Sequence, residues 1–168
     1  MPPEIERLVG EFLKSPISVS TKTGTTAHSV EQGVIRITEG ASKLGLLEEL
    51  LRDPALEKVI VFGETKHGVE RLTKQLMARG VRAESIHGNK SSNQRKRSLD
   101  AFKSGRVRVL VATDVAARGL DINDVSHVIN FDVPHSYEDY VHRIGRTGRG
   151  GKEGKALTFV GGDNRDSR

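Results

Sequence analysis

Three arginines recur at three-residue intervals late in the chain, as Arg143, Arg146 and Arg149, with glycines between and after them and His142 in front. Each guanidinium is a planar fork of donors that matches phosphate oxygens, and glycine lets the backbone approach a ligand closely. The spacing would place all three arginines on one side of a helix. The glycines favour a helix that ends here, followed by a loop that carries the outer arginines. The segment Tyr140–Gly150 therefore predicts an anion site, with a solvated basic turn as the alternative.

A second polar segment begins where a predicted strand ends. Thr113, Asp114, Arg118 and Asp121 follow the apolar run Val107–Ala112. Ligands of parallel sheets bind at the carboxyl ends of strands, which predicts a ligand-binding role for these residues. A Thr or Asp at a turn from strand to helix can equally satisfy free helix amides without any ligand, so both interpretations stay open.

Two further positions admit two interpretations. Thr65 follows the apolar run Val59–Phe62 and is predicted either to cap the next helix or to donate to a phosphate. Arg95, Lys96 and Arg97 lie beside two serines at a predicted helix start, where free amides and positive charge could bind phosphate. A solvated helix face is the other interpretation of this basic run.

Several familiar chemistries are missing from the sequence. No Gly-x-x-x-x-Gly-Lys-Ser/Thr phosphate loop is present, because Gly154 and Lys155 are followed by Ala156. The six histidines show no paired metal-ligand spacing, and the absence of cysteine excludes disulfides, thiolate metal sites and cysteine nucleophiles. We therefore expect no metal site and no self-contained triphosphate cradle.

Length and composition predict one soluble domain. The chain has 168 residues, of which 35% are hydrophobic, enough for a single core and too few for two ordinary ones. A formal charge of +5 favours a polyanionic partner, although only weakly. No apolar run approaches the roughly 20 residues that span a bilayer, and the lack of cysteine suits a reducing compartment, so we expect a cytoplasmic protein without membrane contact.

The predicted elements alternate between strands and helices. The N-terminal residues 1–13 are predicted as a short amphipathic helix and residues 15–31 as a linker or edge strand. The predicted strands are Val34–Ile37, Val59–Phe62, Arg82–Ile86, Val107–Ala112, Val125–Phe131 and Ala156–Val160. The predicted helices are Ser42–Leu51 with Ser42 as its cap, Lys66–Ala78 ended by Gly80, Ser92–Phe102 closed by Gly105, and Tyr137–Arg143.

This alternation predicts an α/β fold, a parallel sheet with helices on both faces and right-handed crossovers. The rule that ligands bind at the carboxyl ends of strands selects four loops as candidate sites. These are residues 63–65, residues 87–89, residues 113–114, and the turn after Gly145.

In this order the segments resemble the DEAD-box ATP-dependent RNA helicases, specifically their second RecA-like lobe. Val59–Thr65 is similar to motif IV of that family, Thr113–Asp121 to motif V, and His142–Arg149 to motif VI at every position. The likeness covers about residues 30–160. It implies that residues 1–29 form an interlobe linker and the end of the first lobe, and that residues 30–168 form the helicase C-terminal RecA-like domain.

On the ATP side, the resemblance implies that Arg146 and Arg149 are arginine fingers on the γ-phosphate, which stabilise charge that develops during phosphoryl transfer. Gly119 and Asp121 would meet the ribose and phosphate side of ATP. His142 would help couple the ATP site to the other lobe. The resemblance thus assigns catalytic roles to Arg146, Arg149 and His142.

On the RNA side, the resemblance implies that Thr65, Arg95 and Thr113 hold the sugar-phosphate backbone, with little base preference. Arg143 would brace motif VI internally. One position departs from the family, because the glutamine of its Gln-x-x-Arg motif is Ser92 here.

The activity implied is ATP-dependent separation or remodelling of RNA duplexes, with single-stranded or duplex RNA and the N-terminal RecA-like lobe as partners. The phosphate loop, the adenine clamp and the Asp-Glu-Ala-Asp site belong to that first lobe, so ATP with Mg²⁺ would be bound mainly there, and we expect this chain alone to be inactive. Two alternatives are a non-catalytic RNA- or partner-binding module with the same fold and a related DNA helicase.

Overall fold

The computed structural model describes residues 30–38, 40–120, 122, 124–149 and 153–161. Its strands are β1 (Val30–Arg36), β2 (Val59–Phe62), β3 (Ala83–Ile86), β4 (Val109–Ala112), β5 (His127–Asn130) and β6 (Gly154–Val160). Its helices are α1 (Lys43–Leu50), α2 (Lys66–Ala78), α3 (Ser92–Lys103), α4 (Asp114–Ala117) and α5 (Tyr137–Ile144). The predicted helix within residues 1–13 and most of the predicted linker lie outside the described residues.

The six strands form one sheet in the order β1-β6-β5-β2-β4-β3, and every neighbouring pair is parallel. This confirms the predicted α/β fold with a parallel sheet. β2 lies near the middle of the sheet, between β4 and β5. All four of its residues are buried, as expected for a continuous apolar run covered on both sides.

Alternate residues of the strands supply two hydrophobic cores, one on each face. Val59 and Val61 of β2 pack with α1 and α2, whereas Ile60 and Phe62 pack with α3, α4 and α5. The two faces follow from the period of two along a strand. The sheet is therefore covered by helices on both sides, as predicted.

Local signals in the sequence set the ends of the helices. The hydroxyl of Ser42 accepts from the amide of Gly45, 3.2 Å away, and confirms the predicted cap of α1. A capping box formed by Ser91 and Gln94 begins α3. Gly80 and Gly105 adopt positive φ values of 81° and 74° just after α2 and α3, as their predicted role at helix ends requires.

Strands differ in length from the predictions where the backbone pairing extends beyond the apolar residues or stops short of them. β1 pairs with β6 from Val30 to Arg36, which is longer than its apolar run predicts. β5 is shorter than predicted, because Val125 and Phe131 pack into the cores from the flanking loops without joining the strand.

Within the described residues, no helix is both long enough and apolar enough to cross a membrane.

Candidate functional site

Arg143 is the most deeply buried charged side chain of the predicted anion segment, with 1% of its surface exposed. Its Nε and Nη2 donate to the two carboxylate oxygens of Asp114 at 2.6 and 2.7 Å, a bidentate pair. Its Nη1 donates to the backbone carbonyl of Asp132 at 2.6 Å and to Oδ1 of Asn130 at 3.3 Å. The guanidinium also lies over the ring of Phe62, 5.2 Å from its centroid. Arg143 therefore fastens α5 to the start of α4 and to the end of β5, as the predicted bracing role requires.

The contacts of Asp132 extend this network to the loop after β2. The amide of Glu64 donates to Oδ2 of Asp132 at 2.9 Å, and the ammonium of Lys43 donates to Oδ1 at 2.8 Å. Asn130, fully buried, donates its amide hydrogen to the hydroxyl of Thr158 at 2.9 Å. One continuous set of hydrogen bonds thus joins the loop that carries Thr65 to the helix that carries His142.

The turn after α5 occupies a different place from the one predicted. The hydroxyl of Thr147 donates to the carbonyls of Val125 and Ser126, just before β5, and Gly154 at the start of β6 packs so closely against Thr147 that a Cβ there would clash. The turn therefore lies near the amino ends of β5 and β6, and its predicted place at the carboxyl ends is wrong. The reason is that α5 is a crossover helix, which must run back across the face of the sheet.

Arg146 contacts both the loop before β5 and the cleft beside the residues that follow β4. Its Nη1 donates to the carbonyl of Leu120 at 2.9 Å, in the loop before β5. It also lines a shallow, open cleft between α4 and α5, whose other walls are Phe62, Asp114, Ala117, Arg118, Asp139, His142 and Arg143. The half-buried side chain of Arg146 therefore faces the same cleft as the residues that follow β4.

The surroundings of Arg146 destabilise its positive charge. Burial lowers the pKa of its guanidinium, and the charge of Arg149 lowers that pKa further. Arg149 is exposed, and its Nε donates to the carbonyl of Gly145 at 2.7 Å. Both arginines thus meet neutral backbone oxygens, and an anion placed between them would offset the electrostatic cost.

A partly exposed ion pair lines the same cleft. Nη2 of Arg118 lies 3.1 Å from the carboxylate of Asp139. The hydroxyl of Ser136 donates to the same carboxylate at 2.8 Å, and this hydrogen bond, more than the charge of Arg118, lowers the pKa of Asp139. His142 is exposed beside this pair, on the last turn of α5.

Gly119 lies in the loop between Arg118 and Leu120, the residue whose carbonyl accepts from Arg146. Its φ of +72° is a left-handed conformation that favours glycine. The structure thus places Gly119 within one residue of the contact with Arg146. Asp121, predicted beside it, lies outside the described residues.

The residues predicted to hold RNA follow neighbouring strands at the carboxyl edge. Thr65 and Thr113 come after β2 and β4, which are joined at this edge by the hydrogen bond from the amide of Gly63 to the carbonyl of Ala112, at 3.0 Å. Arg95 is exposed in the first turns of α3, after β3, which pairs with β4. The structure therefore brings the two threonines to one edge, with Arg95 on the next unit of the sheet.

The two threonines differ in their local role. The hydroxyl of Thr65 accepts from the amide of Gly68 at 2.9 Å, so Thr65 does cap α2, although its own hydrogen remains able to donate. Thr113 occupies the cap position of α4 but makes no side-chain cap. The predicted alternative for Asp114, a cap, is not what its side chain does, because its carboxylate holds Arg143.

Gln94, two residues after Ser92, forms part of the capping box of α3. Its side-chain oxygen accepts from the amide of Ser91 at 2.9 Å, within the capping box. Ser92 is exposed at the first position of α3.

Sequence reasoning missed three site residues that bind other protein groups. Asp132 is the second residue after β5, so the rule about carboxyl ends would have found it. Asn130 interrupts the apolar residues Val128, Ile129 and Phe131, and a polar residue there signals a buried hydrogen bond. Asp139 carried no signal, since an acidic residue in the first turn of a helix is commonplace.

The donor set of the cleft suits an anion. Within the part of the chain that the structure describes, no cluster of three or more histidine, aspartate or glutamate side chains is placed to hold a metal ion. The guanidinium of Arg146 in the cleft, and that of Arg149 three residues further along the chain, are instead donors of the kind that bind phosphate.

Comparisons with known proteins match most of the chain. Residues 42–151 match the family described as "Helicase conserved C-terminal domain". The chain is 49% identical over 161 residues to the ATP-dependent RNA helicase CshA of Listeria monocytogenes, covering 95% of this chain and 31% of the relative. It is 45% identical over 167 residues to DEAD-box ATP-dependent RNA helicase 21 of rice, Oryza sativa subsp. japonica, covering 99% of this chain and 23% of the relative. The chain thus spans about a quarter to a third of these relatives.

Among solved structures, the fold resembles the DEAD-box protein SrmB of E. coli, determined in complex with the regulator of ribonuclease activity A. The TM-score is 0.72 and the sequences are 42% identical. The match covers 77% of this chain and 75% of the SrmB chain.

Proposed function

Since the chain belongs to the DEAD-box helicase family, as its C-terminal RecA-like domain, we propose that it is the second lobe of an ATP-dependent RNA helicase that unwinds or remodels RNA duplexes. In this role it supplies arginine fingers and part of the RNA-binding track. The ATP-binding first lobe, the RNA and the unwinding activity all belong to this proposal.

The observation that carries the proposal is the different treatment of three arginines in one motif. Arg143 is neutralised by Asp114, whereas Arg146 and Arg149 donate to the backbone carbonyls of Leu120 and Gly145. A carbonyl can be exchanged for a phosphate oxygen without leaving a charge uncompensated. Burial already destabilises the charged form of Arg146, and an arriving anion would give that charge a stabilising partner.

On this proposal ATP with Mg²⁺, held mainly by the first lobe, supplies the γ-phosphoryl group. Arg146 and Arg149 bind its oxygens and stabilise the negative charge that grows as phosphoryl transfer proceeds. Gly119 and Asp121 contact the ribose and phosphate side of the nucleotide. His142, on the last turn of α5, transmits closure of the lobes to the cleft.

The RNA backbone is bound at the carboxyl edge by Thr65, Arg95 and Thr113. Hydroxyl and guanidinium donors suit phosphate and sugar oxygens, which are common to all RNA sequences. Two observations support this assignment. The cap made by Thr65 does not use its hydroxyl hydrogen, and the hydroxyl of Thr113 does not cap α4. Binding should therefore depend little on base sequence.

A chimera tests the arginine fingers. The matched segment of the Listeria relative is replaced by this chain, and ATP hydrolysis is measured with and without single-stranded RNA. Arg146→Ala in the chimera should lower kcat by about 10²–10³-fold, the usual loss for one transition-state donor, while the RNA concentration for half-maximal stimulation changes little. Thr113→Ala should instead raise the RNA concentration for half-maximal stimulation and change kcat little.

The control is Arg52→Ala, because Arg52 is an exposed arginine of the opposite helical layer that pairs with Glu48. It should leave both parameters unchanged. An active chimera whose turnover survives Arg146→Ala would refute the finger assignment and favour the alternative, a non-catalytic RNA- or partner-binding module. Stronger stimulation by DNA than by RNA would favour the DNA helicase instead.

A further inference from the structure

A second concentration of positive charge lies at the amino edge of the sheet, opposite Thr65 and Thr113. Its members come from the segments that precede three adjacent strands, β2, β3 and β4. We call this the amino-edge cluster, and it comprises Lys58, Arg82, Lys103, Arg106 and Arg108.

Three of these side chains converge on the turn between α3 and β4. Nζ of Lys58 donates to the carbonyl of Lys103 at 3.3 Å, and Nη1 of Arg82 donates to the carbonyl of Arg106 at 3.4 Å. Nε of Arg106 donates to the hydroxyl of Ser104 at 3.3 Å. The backbone of Arg108 is tied to the same place by the bond from its amide to the carbonyl of Arg82 at 2.9 Å.

The partners of this cluster are neutral oxygens. Elsewhere in the described residues, lysines and arginines commonly meet a carboxylate, as Lys43, Arg52, Lys74, Arg79, Lys90, Arg118, Arg143 and Lys155 do. None of the five cluster cations forms such an ion pair among the residues that the structure describes. The nearest acids along the chain are Glu57, Glu84 and Asp100. Glu84 pairs with Lys90 at 3.7 Å, and none of the three forms an ion pair with a cluster cation among the described residues.

The hydrogen bonds of Lys58, Arg82 and Arg106 brace the turn between α3 and β4, and Lys58 also lies over the ring of Phe102, but none of these contacts supplies a negative charge. Like charges on neighbouring segments repel, and solvent screening reduces this repulsion without removing it. Solubility would be served as well by dispersed charges. An anionic partner would convert the same repulsion into attraction.

We propose that the amino-edge cluster is a second RNA-binding surface, which takes the sugar-phosphate backbone independently of base sequence. The choice of RNA as the polyanion rests on the proposed function, whereas the cluster itself does not. A protein partner fits less well, since the exposed large hydrophobic residues, Val34, Met77, Val115, Tyr137 and Val141, all lie outside the turns that carry the cluster. Protein interfaces concentrate such side chains at their centres, while phosphate contacts need only donors and charge.

The two RNA surfaces are separated by the length of the strands. A strand of four residues spans about 13 Å, so one strand of RNA at the carboxyl edge does not reach the amino edge without turning around the domain. The amino-edge cluster therefore binds a different segment, such as RNA that flanks the one held by Thr65, Arg95 and Thr113.

Fluorescence anisotropy of the chain with a labelled 20-nucleotide oligouridylate tests this surface, between 50 and 300 mM salt. Lys103→Gln/Arg106→Gln should weaken binding about tenfold and reduce the slope of log affinity against log salt by about 1.4, since each phosphate contact on a single strand contributes about 0.7. Arg52→Gln/Lys74→Gln removes the same charge from side chains that are 75% and 74% exposed, and should change binding by less than twofold. Thermal unfolding verifies that both variants remain folded.

Equal affinity for the parent and the cluster variant, equal losses in the two double variants, or no binding by the parent would each overturn the proposal. Polyglutamate binding is compared in the same way. If the cluster variant loses affinity for polyglutamate but keeps its affinity for RNA, the proposal is overturned in favour of an acidic protein partner. Arg95→Gln/Thr113→Ala reports separately on the carboxyl edge. If that variant keeps full affinity while the cluster variant loses it, the RNA track of the proposed function fails and the amino-edge surface stands.

Discussion

The two ends of the segment from Arg143 to Arg149 carry the same residue type in opposite circumstances. Arg143 ends among two carboxylate oxygens, a carbonyl, a side-chain amide and an aromatic ring. Arg146 and Arg149, three and six residues later, donate to backbone carbonyls. A spacing of three residues therefore does not give the three guanidiniums the same partners, because α5 ends at Ile144 and the outer two arginines lie in the turn that follows.

What separates the roles is whether an arginine has already gained its countercharge. The bidentate pair with Asp114 compensates the buried charge of Arg143, and exchanging Asp114 for a ligand would gain little. The outer arginines donate to neutral carbonyls, so an incoming anion can still compensate their positive charges. On the proposed function, the inner arginine is then a positioning residue, and the outer two are predicted to bind the anion.

The largest expected effect comes from removing the countercharge at the inner end. Asp114→Ala should lower the free energy of unfolding by about 3–5 kcal/mol, since it leaves a guanidinium that is 1% exposed without its charged partner. Urea denaturation followed by circular dichroism measures this loss. Asp100→Ala, at an exposed acid on α3, is the control and should cost less than about 0.5 kcal/mol.

The double variant Asp114→Ala/Arg143→Met sharpens the same test. It removes both charges, so it should be more stable than Asp114→Ala alone. A double variant that is less stable than either single one would show that Arg143 is held by packing alone, and the contrast with Arg146 would lose its basis.

The elements of the fold were readable from the sequence wherever period and length agreed. The strand Val59–Phe62 and the helix Lys66–Ala78 were predicted with their observed bounds, because an apolar run and an amphipathic stripe of those lengths admit few alternatives. The helix Asp114–Ala117 was not predicted, since one turn is too short to show a period.

The site was readable only in part, because its partners are distant in sequence. The motif suggested that Arg143 acts as a brace, but not that Asp114, 29 residues away, receives it. The position of the turn after Gly145 was mispredicted because a rule about strand ends was applied to the end of a helix. The roles of Arg146, Arg149, His142, Thr65, Arg95 and Thr113 toward ligands stay predictions.

At the outer end, removing an arginine should barely affect folding. Arg146→Met and Arg149→Met should each change the free energy of unfolding by less than about 1 kcal/mol, because water can replace the guanidinium at the carbonyls of Leu120 and Gly145. The same urea titration measures both variants beside Asp114→Ala. A loss at Arg146 as large as the one at Asp114 would make Arg146 a structural residue and remove the main support for its role as a finger.

The smallest effect concerns Asp139, whose carboxylate forms the exposed counterpart of the Asp114 pair, with Arg118 60% exposed and Asp139 22% exposed. The Ser136 hydroxyl and then the Arg118 charge lower the pKa of Asp139 from its usual 3.8, so this carboxylate stabilises the fold above about pH 4 and loses that contribution as the pH falls through its own lower pKa. Because the hydroxyl is the largest single cause, Ser136→Ala should return the pKa of Asp139 toward 3.8. Arg118→Met removes both a hydrogen bond and a charge, and should also raise this pKa. Titration of the Asp139 carboxyl carbon by NMR measures both shifts. No return in Ser136→Ala would mean that the arginine alone sets this pKa, and the two arginine–carboxylate pairs would then differ only in burial.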